Sequence, residues 1–146
     1  MANALFDDYR NNMLGDNTYT NVQLDADTIK TFFVDHGVDT PVVTDRYVNP
    51  GITAGAQVPA YASAATILTK TIGTLGVGVF DAVDTTHTSL SGASAESMVL
   101  FKDSGADTTS PLLVFFDAGG FASGMPLSPN GGNVTVQWNA SGIFSL

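Results

Sequence analysis

The chain contains no cysteine, which excludes a disulfide scaffold, a thiolate zinc site and an iron–sulfur cluster together. Positive charge is scarce too: 5 Lys and Arg face 14 Asp and Glu in 146 residues, a formal net charge of −9. Neutralising phosphates takes clustered Lys and Arg. The five basic residues, Arg10, Lys30, Arg46, Lys70 and Lys102, are scattered, so nucleic acid is not an expected partner. Long apolar runs are missing as well. An uncharged stretch from Gly51 to Thr69 is rich in Gly, Ala and Ser and contains Pro59; it is too polar for a span of about 20 apolar residues, and no membrane contact is expected. Met1 to Arg10 carries Asp7 and Asp8 and no apolar core, so no secretory leader is expected. The sequons at Asn133 and Asn139 are then read as chance matches.

What is present describes strands and turns. At 44% hydrophobic and 13% charged residues, the chain has the composition of a folded protein rather than a disordered one. Its length suits one domain, residues 1–146. Glu96 is the only glutamate beside 13 aspartates. Glutamate favours helices, whereas aspartate bonds to nearby backbone in turns and caps. With 17 Thr, 14 Val and 15 Gly, the mixture points to β-strands joined by tight turns. The low charge gives a bland surface of the kind found where subunits stay packed together.

One amphipathic helix is predicted, at the N-terminus. Asn3 is a candidate cap, Leu5, Phe6, Tyr9 and Met13 recur at three- or four-residue spacing, and Gly15 supplies a stop. Residues 1–14 thus read as a helical arm whose stripe must dock, either on its own domain or on a neighbouring subunit. Strands are predicted over Thr28–Val34, Pro41–Val48, Thr66–Ile72, Val77–Val83, Ser97–Lys102, Pro111–Phe116, Val134–Trp138 and Ile143–Leu146. Ala54 to Ala65 reads as a loop or an edge. Short strands at this spacing predict a mainly β fold, a jelly-roll-like β-sandwich with a short N-terminal helix. Aromatics could form a carbohydrate platform, but Val134, Val136 and Trp138 share one face of their strand, which places the indole in the core rather than on the surface.

Convergent chemistry is hard to find. His36 and His87 lie among Asp and Thr near turns without metal-ligand spacing, and read as exposed turn residues. Asp25-Ala-Asp27 and Asp103-Ser-Gly-Ala-Asp107 offer oxygens but match no EF-hand loop. Gly73-Thr-Leu-Gly76-Val-Gly78 lacks the Lys-Ser/Thr ending of a phosphate loop, and no Gly-x-Ser-x-Gly elbow exists. No catalytic residue, cofactor or metal is assigned, and no enzyme activity is expected.

Several stretches carry a resemblance. They are Met1-Ala-Asn-Ala-Leu-Phe-Asp7, Asp27-Thr-Ile-Lys30, Leu100-Phe-Lys-Asp-Ser-Gly105, Thr109-Ser-Pro-Leu112, Pro129-Asn-Gly-Gly132, Val134-Thr-Val-Gln-Trp138 and Ile143-Phe-Ser-Leu146. Together they resemble a group of small tailed-bacteriophage virion structural proteins. The resemblance implies a capsid decoration or cement protein on the virion surface, and it brings no catalytic residues. The implied partner is the major capsid protein, bound by a dimer or trimer of this chain. Tail, neck or fibre-associated roles and a host-surface or glycan-binding module are the alternatives. The two termini supply candidate subunit contacts: Leu5, Phe6, Tyr9, Met13, Ile143, Phe144 and Leu146.

Overall fold

Three six-residue runs organise the molecule, and each is apolar at four or five of its six positions. In a computed structural model, which describes residues 3–15, 21–121 and 123–146, they form adjacent antiparallel strands: β2 (Ile29–Val34), β8 (Ser97–Lys102) and β9 (Leu112–Asp117). Continuous apolar strands require cover on both faces. Here alternate residues feed two separate cores. Ile29, Phe33, Met98, Leu100, Val114 and Phe116 point to one, and Phe32, Val34, Val99, Phe101 and Phe115 to the other. The alternation skips a beat in β9, where Leu100 faces Val114 but Phe101 faces Leu112. Leu113 is the extra residue of a bulge, which is why Leu112 and Phe115 share a core although their numbers differ in parity.

Short strands extend this sheet. β1 (Ala4–Leu5) pairs with β9, while β3 (Gln57–Val58) and β4 (Ala65–Thr66) pair with β2. On the first core's side lie a ladder of β7 (Thr85–His87) with β10 (Val134–Val136), and a sheet in the order β11 (Phe144–Ser145), β6 (Val79–Asp81), β5 (Thr71–Ile72). Phe80, Leu90 and Val136 join that core, with Trp138, Ile143 and Phe144 packed at its margin. The other core is closed by Phe6, a helical turn at Val48–Gly51, and the segment carrying Ile52, Ala56, Tyr61 and Ala64. The protein is therefore mainly β, with several antiparallel sheets. Among the described residues one helix reaches seven residues, α1 (Asp7–Met13).

Several local expectations differ from the structure. Asn3 does not cap α1: Phe6 holds that position without a side-chain cap, and Asn3 Oδ1 accepts the Asp117 amide at 3.0 Å, tying the N-terminal segment to β9. Pro41–Val48 forms no strand, only an isolated bridge from Tyr47 to Pro111. Thr66–Ile72 is broken at Thr69, whose φ of 49° lies in the left-handed region, costly for a β-branched residue. The run resumes as β5. The C-terminal strand approaches β6 closely at Gly142, at φ +103°, where a Cβ would sit 2.4 Å from Val79 Cγ1. Glycine is the residue that fits there.

Candidate functional site

The aspartates do what turn chemistry predicts. Carboxylates of Asp27, Asp35, Asp39, Asp45, Asp84, Asp103 and Asp117 accept backbone amides at 2.7–3.0 Å, mostly a few residues away. The basic side chains are occupied as well. Arg10 pairs with Asp7, Lys30 with Asp103, Arg46 with Asp8 and Lys102 with Asp27, while Lys70 donates to the Asp27 carbonyl. At one end of β2 and β8, Asp103 gathers Lys30, the Tyr61 hydroxyl and the Gly105 amide. Burial there pushes its carboxyl up, but these partners outweigh burial and hold it below the usual aspartate value. Ser110, fully buried, bonds to the same Tyr61 hydroxyl at 2.9 Å. The network pins loop 103–110. Among the described residues no group of three His, Asp or Glu is arranged to hold a metal ion. EDTA is accordingly expected to leave the melting temperature unchanged, as differential scanning calorimetry would show; a drop of several degrees would reveal a structural cation.

Neither histidine is the exposed turn residue expected. His36 is half-buried, its amide bonded to Glu96 at 2.8 Å and its Nε2 2.7 Å from Ser97 Oγ. His87 lies in β7 and is 2% exposed. Its ring packs 4.7 Å from that of Phe33, and neither nitrogen has a hydrogen-bond partner among the described residues. Burial pushes its pKa down to about 4. The two rings sit against opposite faces of the large sheet, since His36 stacks over Phe115 and His87 over Phe33. No site brings them together.

The candidate contact residues divide sharply. Phe6 and Tyr9 are buried within the chain, and burial pushes the Tyr9 phenol up to about 12. Leu5 is half-buried in β1 against β9, and Ile143 and Phe144 are half-buried beside Phe80. Met13 and Leu146 are exposed. Leu146 has exposed company that the sequence pattern did not single out. Ile72, Leu75 and Val77 are 50%, 50% and 101% exposed in and beside the β5–β6 connection, and the Leu146 amide donates to the Gly78 carbonyl at 3.2 Å. Residues 71–80 contain no charged side chain, so the side chains of this rim of the small sheet are apolar. Apolar side chains gathered on a surface in this way mark interaction sites.

A second feature is a groove of about 720 Å3 between the large sheet and the β10 segment, lined among others by Phe116, Phe121, Met125, Gln137, Trp138 and Asn139. Trp138 is half-buried at its wall rather than inside the core. Strand β10 ends at Val136, and the backbone then turns so that the Trp138 amide reaches Asp84 Oδ1 at 3.0 Å. The alternation holds for Val134 and Val136 but stops short of the indole.

Among the described residues no helix is long and apolar enough to cross a membrane. The features define a mainly β protein with an apolar sheet rim, an aromatic groove and aspartates committed to turns. Set against known proteins, the chain matches no family model and no curated protein sequence.

Proposed function

We propose that this chain is an auxiliary structural protein of a tailed-phage particle, a decoration or cement protein that binds and stabilises the capsid lattice from outside. The observation that carries the reading is the rim of apolar side chains formed by Ile72, Leu75, Val77 and Leu146. A lattice-binding protein works by shape and apolar contact, repeated at many equivalent positions, so modest contacts sum to firm attachment. The rim sits beside β5 and β11, the two outer strands of the small sheet. Their open edges are suited to extending a partner's sheet. The aspartate-rich remainder keeps free copies soluble before assembly.

The partner in this reading is the major capsid protein, contacted by a dimer or trimer of this chain on the capsid surface. The engagement of every basic side chain with an acid or a carbonyl favours a protein partner over phosphate. The sheets are arranged as a jelly-roll-like sandwich. Its support is the first core, which lies between the large sheet and the two smaller ones. The N-terminal segment anchors the domain, because Phe6 and Tyr9 fill its cores.

Paired substitutions at the rim test the reading. Leu75→Asp with Val77→Asp changes exposed side chains, so stability should stay within about 0.5 kcal/mol of the parent. Co-sedimentation with particles should be lost. Undiminished attachment of a folded double variant would remove the rim from the contact.

A further inference from the structure

We infer that the groove beside Trp138 is a binding site for a neutral oligosaccharide, independent of the lattice contact. No ionisable side chain lines it among the described residues, in a chain where 14 residues are acidic. A site for a charged ligand would carry the opposite charge, and a purely apolar ligand would leave the lining amides unpaired at a cost. The lining mixes two kinds of group instead. Trp138, Phe116 and Phe121 supply rings, Gln137 supplies a whole amide, and Asn3 and Asn139 supply amide N–H groups, their Oδ1 atoms accepting the Asp117 and Ser141 amides. That pairing matches a sugar, whose ring presents an apolar C–H face and a girdle of hydroxyls. Aromatic faces take the first, and amides, donor and acceptor together, take the second.

The aromatic wall is held in place before any ligand arrives. Trp138 Nε1 donates to Thr85 Oγ1 at 3.2 Å, and its backbone amide donates to Asp84 Oδ1 at 3.0 Å, so the first residue of β7 and the one before it fix both ends of the residue. The indole packs 6.2 Å from Phe116, which packs 6.3 Å from Phe121. Gln137 is exposed, and its side chain makes no hydrogen bond among the described residues, so its amide is available to a ligand. A volume of about 720 Å3 falls within the usual range for ligand pockets, about 300–1,000 Å3.

Trp138 is the only tryptophan, so its emission reports on the groove alone. The full chain is titrated with the hexasaccharides of maltose, cellulose and chitin, with the matching monosaccharides, and with an acidic oligogalacturonate. At least one neutral hexasaccharide should change the emission saturably below about 10 mM. A hexasaccharide that binds where its monosaccharide does not identifies a stretch of polysaccharide as the ligand; equal binding identifies the free sugar. Phe121→Ala should weaken the response about tenfold and Gln137→Ala several-fold, with unchanged circular dichroism certifying the fold of each. Absence of saturation with all three neutral series would overturn the assignment. So would an equal response to oligogalacturonate, or a response that both variants leave intact.

Discussion

Replacing Phe101 by alanine is expected to cost about 3–5 kcal/mol, the range for deleting a fully buried aromatic ring. The ring is 0% exposed, 5.4 Å from Phe32 and 5.3 Å from Tyr61. Its loss opens a hole between the central strands and the segment that covers them, and β2, β8 and β9 cannot close it without breaking their ladder. The effect extends to polar partners: Tyr61, which leans on Phe101, also holds Asp103 and Ser110. Urea unfolding of the variant should show a lowered midpoint at an unchanged slope. A loss below about 1 kcal/mol would mean that the second core is not close-packed.

The second large effect is acid sensitivity from His87. Its folded pKa of about 4 lies below the ordinary 6.5, so between those values the unfolded chain takes up a proton that the folded chain refuses. Stability therefore falls as pH drops through this window and is fully present above it, a change of roughly 3 kcal/mol. Asp39 and Asp103 are held below the usual carboxylate value. Their stabilising contributions are lost only at more acidic pH, which separates the two ranges. Replacing His87 with leucine removes an unpartnered polar ring from an apolar setting and should stabilise the protein by about 1 kcal/mol at neutral pH. The same substitution should flatten the profile between pH 4 and 6.5. An unaltered profile in His87→Leu would assign the sensitivity to another group.

The central strands were legible because their pattern is long and redundant. Ile29–Val34, Ser97–Lys102 and Leu112–Asp117 are apolar on both faces, and only a two-sided burial uses such runs. The turns were legible through aspartate, whose carboxylates cap neighbouring amides throughout. Several short strands were not. β1 is two residues long and lies inside a helical repeat, and β7 reads Thr-Thr-His, a polar tripeptide that is buried only because β10 and Phe33 cover it. For the same reason the burial of His87 is a tertiary fact. The helical stripe at the N-terminus was visible, but which surface it meets depends on the cores that receive Phe6 and Tyr9.

The two candidate contact regions follow the same logic. The rim joins Ile72, Leu75 and Val77 to Leu146 at the far end of the sequence, through the β11–β6 ladder and the backbone bond from Leu146 to Gly78. Its C-terminal member was visible as an apolar end, whereas the hairpin read as two ordinary strands, Thr66–Ile72 and Val77–Val83. The groove draws on Asn3, Phe116, Phe121 and Trp138, residues from distant parts of the sequence. Trp138 read as a core residue rather than part of a carbohydrate platform, because strand alternation carries no information on where a strand stops.

The copy number of this chain in purified tailed-phage particles, measured by quantitative mass spectrometry against the major capsid protein, tests the lattice proposal most directly. Docking on a repeated capsid site predicts hundreds of copies per particle, in fixed ratio to the capsid protein, and depleted in the Leu75→Asp, Val77→Asp double variant. A single ring's worth of copies, or none, would contradict it.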